Sequence, residues 1–488
     1  MLFNSFSFLA FFTVVVVAYY LIPHKYRWLL LVIASLVFYS IFKVSFVLLL
    51  LGVALVGYLV GQAMGTAQAV GRRRALLAVG VIAALAPLFV FKYFDFFAES
   101  INALLEGMRP ESASSLSAFL VPKLGLLLPA GLSFFTFSCV SYLVDVYRGK
   151  LPPEKHLGRF VLYIAFFPKL LAGPIERATT FLPQLLRPVR FTPEGVTLGL
   201  QLILWGLFKK VVIADRLATF VDNAYQTPGF ASPVALVIAT YFYAFQIYCD
   251  FSGYSDIAIG AALVLGLKLM ENFRRPYFAR SVPEFWSNNR WHISLNTWFR
   301  DYLYIPLGGS RVSSLRFYFN ILAVYMVSGL WHGAAWTFVI WGGLNGFFHL
   351  VSMGVAGLKQ KVAPGLRLPR PVGAILGILV TFHLILVTWV FFRASSLSDA
   401  ITVLSSIAAS VPELPTLFKA YPITGEVYLS LALIGVLLLI EALDEWRAFW
   451  EKLVTRPVYV RWAFYYALLI CLVVIGQWGQ KQFVYMQF

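Results

Sequence analysis

Charge is scarce in this chain: 12% of its 488 residues are Asp, Glu, Lys or Arg, against about 25% in soluble domains. That shortage, with 60% apolar residues, excludes an ordinary soluble domain and puts the chain in lipid. Cysteine is scarcer still. Cys139, Cys249 and Cys471 each lie in or beside an apolar run, and none stands at metal-ligand spacing, which argues against a disulfide framework or a zinc site. Met1 to Ser5 lacks a basic stretch and the apolar run after it lacks a small-residue cleavage pattern, so the first span is expected to remain in the mature protein. No internal repeat and no low-complexity tract is found. Acidic residues are few, 22 against 39 basic, and the resulting +17 belongs to cytoplasmic loops rather than to nucleic-acid binding.

What is abundant is long apolar windows. They run from Phe6 to Leu21, Trp28 to Phe42, Val44 to Val60, Ala75 to Phe91, Leu124 to Val144, Val196 to Ile213 and Val234 to Tyr248. Others run from Phe317 to Leu330, Phe338 to Met353, Val372 to Phe392, Val427 to Leu443 and Trp462 to Trp478. A span needs roughly 20 apolar residues, so about eleven to thirteen membrane helices are expected. Windows without strict alternation must be helices, because hydrocarbon leaves no partner for an unpaired backbone group. The fold class is therefore all-α and polytopic, a single membrane domain over 1–488. It divides into N-terminal helices (1–97), a core (124–353) and C-terminal helices with a tail (372–488). Setting Lys25 with Arg27, Arg72 to Arg74, and Arg148 to Arg159 all inside leaves the N-terminus outside.

Four stretches interrupt the apolar pattern. Glu99 to Lys123 reads as an external loop, and Gln360 to Pro371 as a basic connector. Arg148 to Arg190 holds six prolines and only a short apolar run, Val161 to Phe167, which suggests a re-entrant or interfacial segment. Lys268 to Arg316 interleaves eight basic residues with aromatics such as Phe273, Trp286, Trp291 and Trp298, and is expected to hug the membrane surface.

Two of the six histidines keep unusual company: His332 in Gly329-Leu-Trp-His-Gly-Ala-Ala-Trp336, and His292 in Asn288-Asn-Arg-Trp-His-Ile-Ser-Leu-Asn296. An ionisable side chain in a span is costly and marks a functional site by default, although a histidine bonding between packed helices fits His332 equally well. Helical spacing puts Ser328, His332 and Trp336 on one face, and Gly329 with Gly333 where another helix can approach. His349 and His383 read as packing histidines, His24 and His156 as solvated ones. Gln246, Asp250 and Tyr254 fall at i, i+4, i+8, one polar stripe inside a helix. With Asp256 they line a polar path or, the favoured alternative, neutralise arginines of the Lys268 to Arg316 segment.

Trp331-His-Gly-Ala-Ala-Trp336, Phe285-Trp-Ser-Asn-Asn-Arg-Trp-His292, Phe299-Arg-Asp-Tyr-Leu-Tyr-Ile-Pro-Leu-Gly-Gly309, Tyr248-Cys-Asp-Phe-Ser-Gly-Tyr-Ser-Asp256, Phe167-Pro-Lys-Leu-Leu-Ala-Gly-Pro174 and Tyr142-Leu-Val-Asp-Val-Tyr-Arg148 together resemble the membrane-bound O-acyltransferase family. The likeness is strongest to its alginate and peptidoglycan O-acetyltransferase branch. The resemblance implies a ring of tilted helices around a thin central layer, with a tunnel joining a cytoplasmic acyl donor to an acceptor on the other side. It makes His332 the catalytic histidine and His292 a second functional one, with Asp250, Asp256, Asn296, Ser328, Trp331 and Trp336 as tunnel-lining residues. Arg290 and Arg300 become donor-binding residues. Where relatives often carry two arginines before the Trp-His pair, this chain has Asn289-Arg290.

Phe483-Val-Tyr-Met-Gln-Phe488 resembles the F-x-Y-x-x-F tail of acyl-exporting systems, in which the tyrosine, here Tyr485, accepts the acyl group; an aromatic interfacial anchor is the alternative. The expected reaction is acetyl transfer from acetyl-CoA or an acyl carrier, with no bound cofactor and no metal. Expected partners are a periplasmic acetyltransferase, a polysaccharide acceptor and membrane lipid, in a bacterial inner membrane. The basic face holds donor phosphates or anionic lipid. Within the class, D-alanyl transfer is an alternative; outside it stand a transporter using Gln246, Asp250, Asp256 and His332, and a scaffolding subunit of an export machine.

Overall fold

The computed structural model describes residues 1–108, 120–287, 290–362, 369–479 and 483–484. Among these the regular elements are all helical. Eight helices are long and apolar enough to cross a membrane: Val44–Thr66, Val70–Gly107, Pro193–Gln226, Pro233–Val264, Trp336–Leu358, Arg370–Arg393, Gly425–Arg447 and Val458–Ile475. The Leu397–Ser410 and Leu414–Ala420 pair, bent by 99°, adds a ninth crossing if it acts as one span.

This is fewer than the eleven to thirteen expected, because the helices Phe6–Leu21, His24–Ser40 and Leu132–Tyr147 have only 16, 17 and 16 residues, and because an apolar window can serve the protein interior instead of lipid. The Leu124 to Val144 window is an example. Its helix begins only at Leu132, after Gly131 turns the chain with φ +75°, and Leu132–Tyr147 is buried along most of its length. The Arg148 to Arg190 stretch, expected to be re-entrant or interfacial, is in part interior. Its Leu157–Ala165 helix and the turn after it are buried from Phe160 to Glu176, inside the molecule rather than at an interface.

The Pro233–Val264 helix is the hub. Its 32 residues are buried along most of their length, so it packs on protein all round instead of facing lipid. Small residues let its neighbour come close: a Cβ on Gly206 would lie 2.6 Å from the Gly253 carbonyl, and one on Gly199 would lie 2.7 Å from that of Gly260. Such contacts are how helices associate where lipid removes the hydrophobic drive.

Three helices open into π-helical turns, at Phe89–Tyr93, Phe208–Ala214 and Arg300–Tyr304. Each turn carries basic side chains: Lys92, Lys209 with Lys210, and Arg300. Pro87 in the first helix removes a backbone donor just before its turn. Wide turns of this kind concentrate at functional sites.

The Lys268 to Arg316 stretch departs from the surface role expected of it. Asn272, Tyr277, Phe285, Trp286, Trp291, His292, Trp298 and Phe299 are all buried. Short helices Val282–Trp286 and Ile293–Phe299 with irregular backbone between them form a layer inside the ring of spans. Non-helical backbone at such depth is tolerated only when enclosed by protein.

Candidate functional site

His332 is the last residue of the Ser314–His332 helix. Gly333 is extended, and a Cβ there would lie 2.1 Å from the Phe338 ring, so the helix stops and Trp336 opens the next one. The shared face expected for Ser328, His332 and Trp336 is therefore broken. Trp336 lies 56% exposed, donating to Ser100 at 3.2 Å, away from His332. The approach expected at Gly329 is present: a Cβ there would meet the Phe338 carbonyl at 2.2 Å.

A helix end leaves carbonyls without partners. Here Lys92 Nζ donates to the carbonyls of Trp331 (2.7 Å) and His332 (3.0 Å), and Tyr93 donates its hydroxyl to that of Leu330 (3.1 Å). A cation at a helix C-terminus also opposes the negative end of its dipole. Sequence reasoning missed Lys92. The signal was a lysine at the border of an apolar window, and what it touches lies some 240 residues away.

The His332 ring is buried in an aromatic box, with ring centroids 5.0 Å from Trp331, 5.0 Å from Trp341 and 5.4 Å from Phe392. His292 is 6.3 Å away. Its backbone is left-handed, φ 44°, an unusual state for a side-chain-bearing residue and one that clusters at functional sites. Asn272 holds it: Oδ1 accepts from Ser294 N and Ser294 Oγ and lies 3.1 Å from His292 Nδ1. An amide oxygen only accepts, so Nδ1 carries the proton and Nε2 keeps the lone pair.

Two separate cavities border this box. The larger, about 340 Å³, is lined by Asn296, Arg300, Ser328, Tyr325, Trp341 and His349 among others. The smaller, about 60 Å³, is lined by Lys92, Phe134, Leu171, Trp331 and His332. Asn296, Ser328 and Arg300 thus come together in one, Trp331 and His332 in the other, and Trp341 separates the first from the imidazole. His349, read as a packing residue, lines the larger cavity and bonds to the Tyr325 hydroxyl at 2.9 Å. His156 also differs from its expected solvated state: it accepts from Arg159 N at 3.2 Å and packs on Trp28.

Asp250 and Asp256 line neither cavity. Their charges are neutralised, as favoured, but by lysines rather than arginines: Asp250 by Lys210 at 2.6 Å, and Asp256 by Lys209 at 2.8 Å. Arg290 is unsuited to grip a donor, since Glu284 and Glu445 each hold it at 2.8 Å and its side chain is 11% exposed. Arg300, 58% exposed beside Asp301, keeps a solvent-facing guanidinium at the larger cavity. Tyr485 lies outside the described residues. Phe483 and Val484 just before it are buried, Phe483 4.6 Å from the Tyr254 ring, and Val484 N donating to Asp250 Oδ2 at 2.7 Å. Among the described residues no group of three or more His, Cys, Asp or Glu side chains could hold a metal ion.

Residues 124–397 match the membrane-bound O-acyltransferase family. The protein named probable alginate O-acetylase in Pseudomonas aeruginosa is 40% identical over 82% of this chain and 73% of its own length. The peptidoglycan O-acetyltransferase of Helicobacter pylori is 36% identical over 77% of this chain and 73% of its own. A teichoic acid D-alanyltransferase of Bacillus subtilis is 27% identical over 62% of this chain and 74% of its own. With spans, buried histidines and cavities in this arrangement, and similarity over most of its length, the chain belongs to the membrane-bound O-acyltransferase family and is a multi-pass membrane O-acyltransferase.

Proposed function

We propose that the protein carries an acetyl group from acetyl-CoA, reached from the cytoplasmic face of a bacterial inner membrane, to a hydroxyl on the opposite side, for O-acetylation of a cell-envelope or secreted polysaccharide. The observation that carries this reading is that His332 lines the 60 Å³ cavity while its ring packs 5.0 Å from Trp341, a wall of the 340 Å³ cavity. The relatives named for acetyl transfer are 36–40% identical and the D-alanyl one 27%, which favours acetyl over D-alanyl.

The larger cavity takes the donor. Arg300 suits its phosphates, because a guanidinium fork matches phosphate oxygens, and Asn296 and Ser328 offer polar contacts along the way. Neutral His332 acts as general base. A positioned base contributes roughly 10²–10⁴-fold. The acceptor oxygen attacks the thioester carbonyl while its proton passes to the imidazole; the tetrahedral intermediate then expels the CoA thiolate, which takes that proton. His292, with Nδ1 tied to Asn272 and its ring 6.3 Å from that of His332, is the second histidine of the site.

Tyr485 is the first acceptor, and a separate periplasmic acetyltransferase then receives the group. The burial of Phe483 and Val484 beside the Asp250 carboxylate supports a tail that enters the protein over one that anchors at its surface. The test is mass spectrometry of purified protein given labelled acetyl-CoA. A labelled acetyl on the peptide containing Tyr485, absent after His332→Ala, is the expected result; an adduct that persists in that variant removes His332 from the mechanism.

A further inference from the structure

We propose that Lys92 is a catalytic residue whose ammonium binds the oxyanion formed at the acyl carbonyl beside His332. The inference rests on the acyl-transfer reading above and adds a second working group to it. An ammonium has three N–H donors. Two are accounted for by the carbonyls of Trp331 and His332, and Lys92 and His332 both line the small cavity. Among the described residues no carboxylate forms an ion pair with Lys92. This contrasts with Lys209 and Lys210, the other lysines in π-helical turns, which are both neutralised. A cation kept in an apolar helix without a countercharge is costly, and a site in which negative charge develops during reaction accounts for its retention.

Size fits as well. The cavity, about 60 Å³, holds more than a single water and has room for an acetyl group. Its other walls include Phe134, Leu171, Trp331 and the Leu128 to Ser133 segment. In the step, the acceptor oxygen bonds to the acyl carbon as His332 takes its proton. The carbonyl π electrons move to oxygen, where the Lys92 ammonium stabilises them. They return when the carbon–sulfur bond breaks, and the thiolate leaves with the proton from His332. Lys92 stays charged throughout, and nothing is oxidised or reduced.

The experiment measures acetyl transfer by purified Lys92→Met and Lys92→Gln proteins. It also measures binding of a non-hydrolysable thioether analogue of acetyl-CoA, and the rate at which diethyl pyrocarbonate modifies His332. We expect kcat to fall about 10²–10³-fold in Lys92→Met, the usual effect of losing one oxyanion donor. Lys92→Gln, which keeps N–H donors for the two carbonyls, falls between it and the native protein. Analogue affinity and His332 reactivity stay at native values in both. Should the Met protein fail to fold, the Gln protein decides alone. A native kcat in either folded variant overturns the proposal. So does a loss accompanied by altered His332 reactivity or donor affinity, because Lys92 would then merely position the helix end. Absence of acetyl transfer by the native protein sinks the acyl-transfer reading itself, and activity surviving in His332→Ala removes His332 from it; an inactive His332→Ala beside fully active Lys92 variants sinks only this inference.

Discussion

Lys210 shows what a single buried charge does here. Its ammonium lies 2.8 Å from Asp215 and 2.6 Å from Asp250, and the second Asp250 oxygen receives the Val484 amide. Removing one partner of a buried pair costs about 3–5 kcal/mol, because the charge left behind has lost its water as well. Lys210→Met is therefore expected to lower the unfolding midpoint in detergent markedly; an unchanged midpoint would mean that the carboxylates are neutralised some other way. The stripe of Gln246, Asp250 and Tyr254 was legible in the sequence because i, i+4 spacing is a local property. The countercharge was not. Lys209 and Lys210 sit inside an apolar run, and only the tertiary fold brings them to Asp256 and Asp250 in place of the arginines expected. Arg290 was misjudged for the same reason, since Glu445, far along the chain, claims it.

Helix crossings depend on glycine where backbones meet. Gly206→Val puts a side chain against the Gly253 carbonyl, whereas Gly435→Val in the Gly425–Arg447 helix meets nothing within 4 Å. The first is expected to abolish recovery of monodisperse protein from membranes, and the second to leave it unchanged; equal yields would show that the Pro233–Val264 hub tolerates a wider crossing. The close helix approach within the Gly329-to-Trp336 motif was legible in the sequence. The break in the motif was not, because Gly333-Ala-Ala continues an apolar pattern and only the Phe338 ring, packed where a Cβ would go, stops the helix. The same termination frees the carbonyls that Lys92 takes up, so the misread boundary and the missed residue have one cause. Length and burial explain the helix count: Phe6–Leu21 and His24–Ser40 stop short of a full span, and the Leu132–Tyr147 window faces protein, which looks the same in sequence as one that faces lipid.

At the scale of the molecule, contacts gather the basic clusters on one face. Arg27 donates to the Val189 carbonyl, Trp28 packs on His156, Arg73 donates to the carbonyls of Val146 and Tyr147, and Arg148 donates to that of Asp301. Arg275 pairs with Asp444 and Glu445, which brings the C-terminal end of the Gly425–Arg447 helix to the same basic segment. The larger cavity holds Arg300, next to Asp301, and so opens toward this face. Lys92 and the small cavity lie twenty-two residues beyond Val70 along a continuous helical path, roughly 30 Å at about 1.5 Å per residue. If basic loops stay in the cytoplasm, the donor enters from the cytoplasm and the acceptor comes from the other side. Cysteine labelling tests this orientation. With Cys139, Cys249 and Cys471 replaced, Ala69→Cys, exposed between two spans on the basic face, should react with a membrane-impermeant maleimide only after the cells are opened. Thr424→Cys, exposed at the opposite end of the Gly425–Arg447 helix, should react in intact cells. The reverse pattern would turn the molecule over and leave Arg300 facing away from any cytoplasmic thioester, whatever chemistry His332 performs.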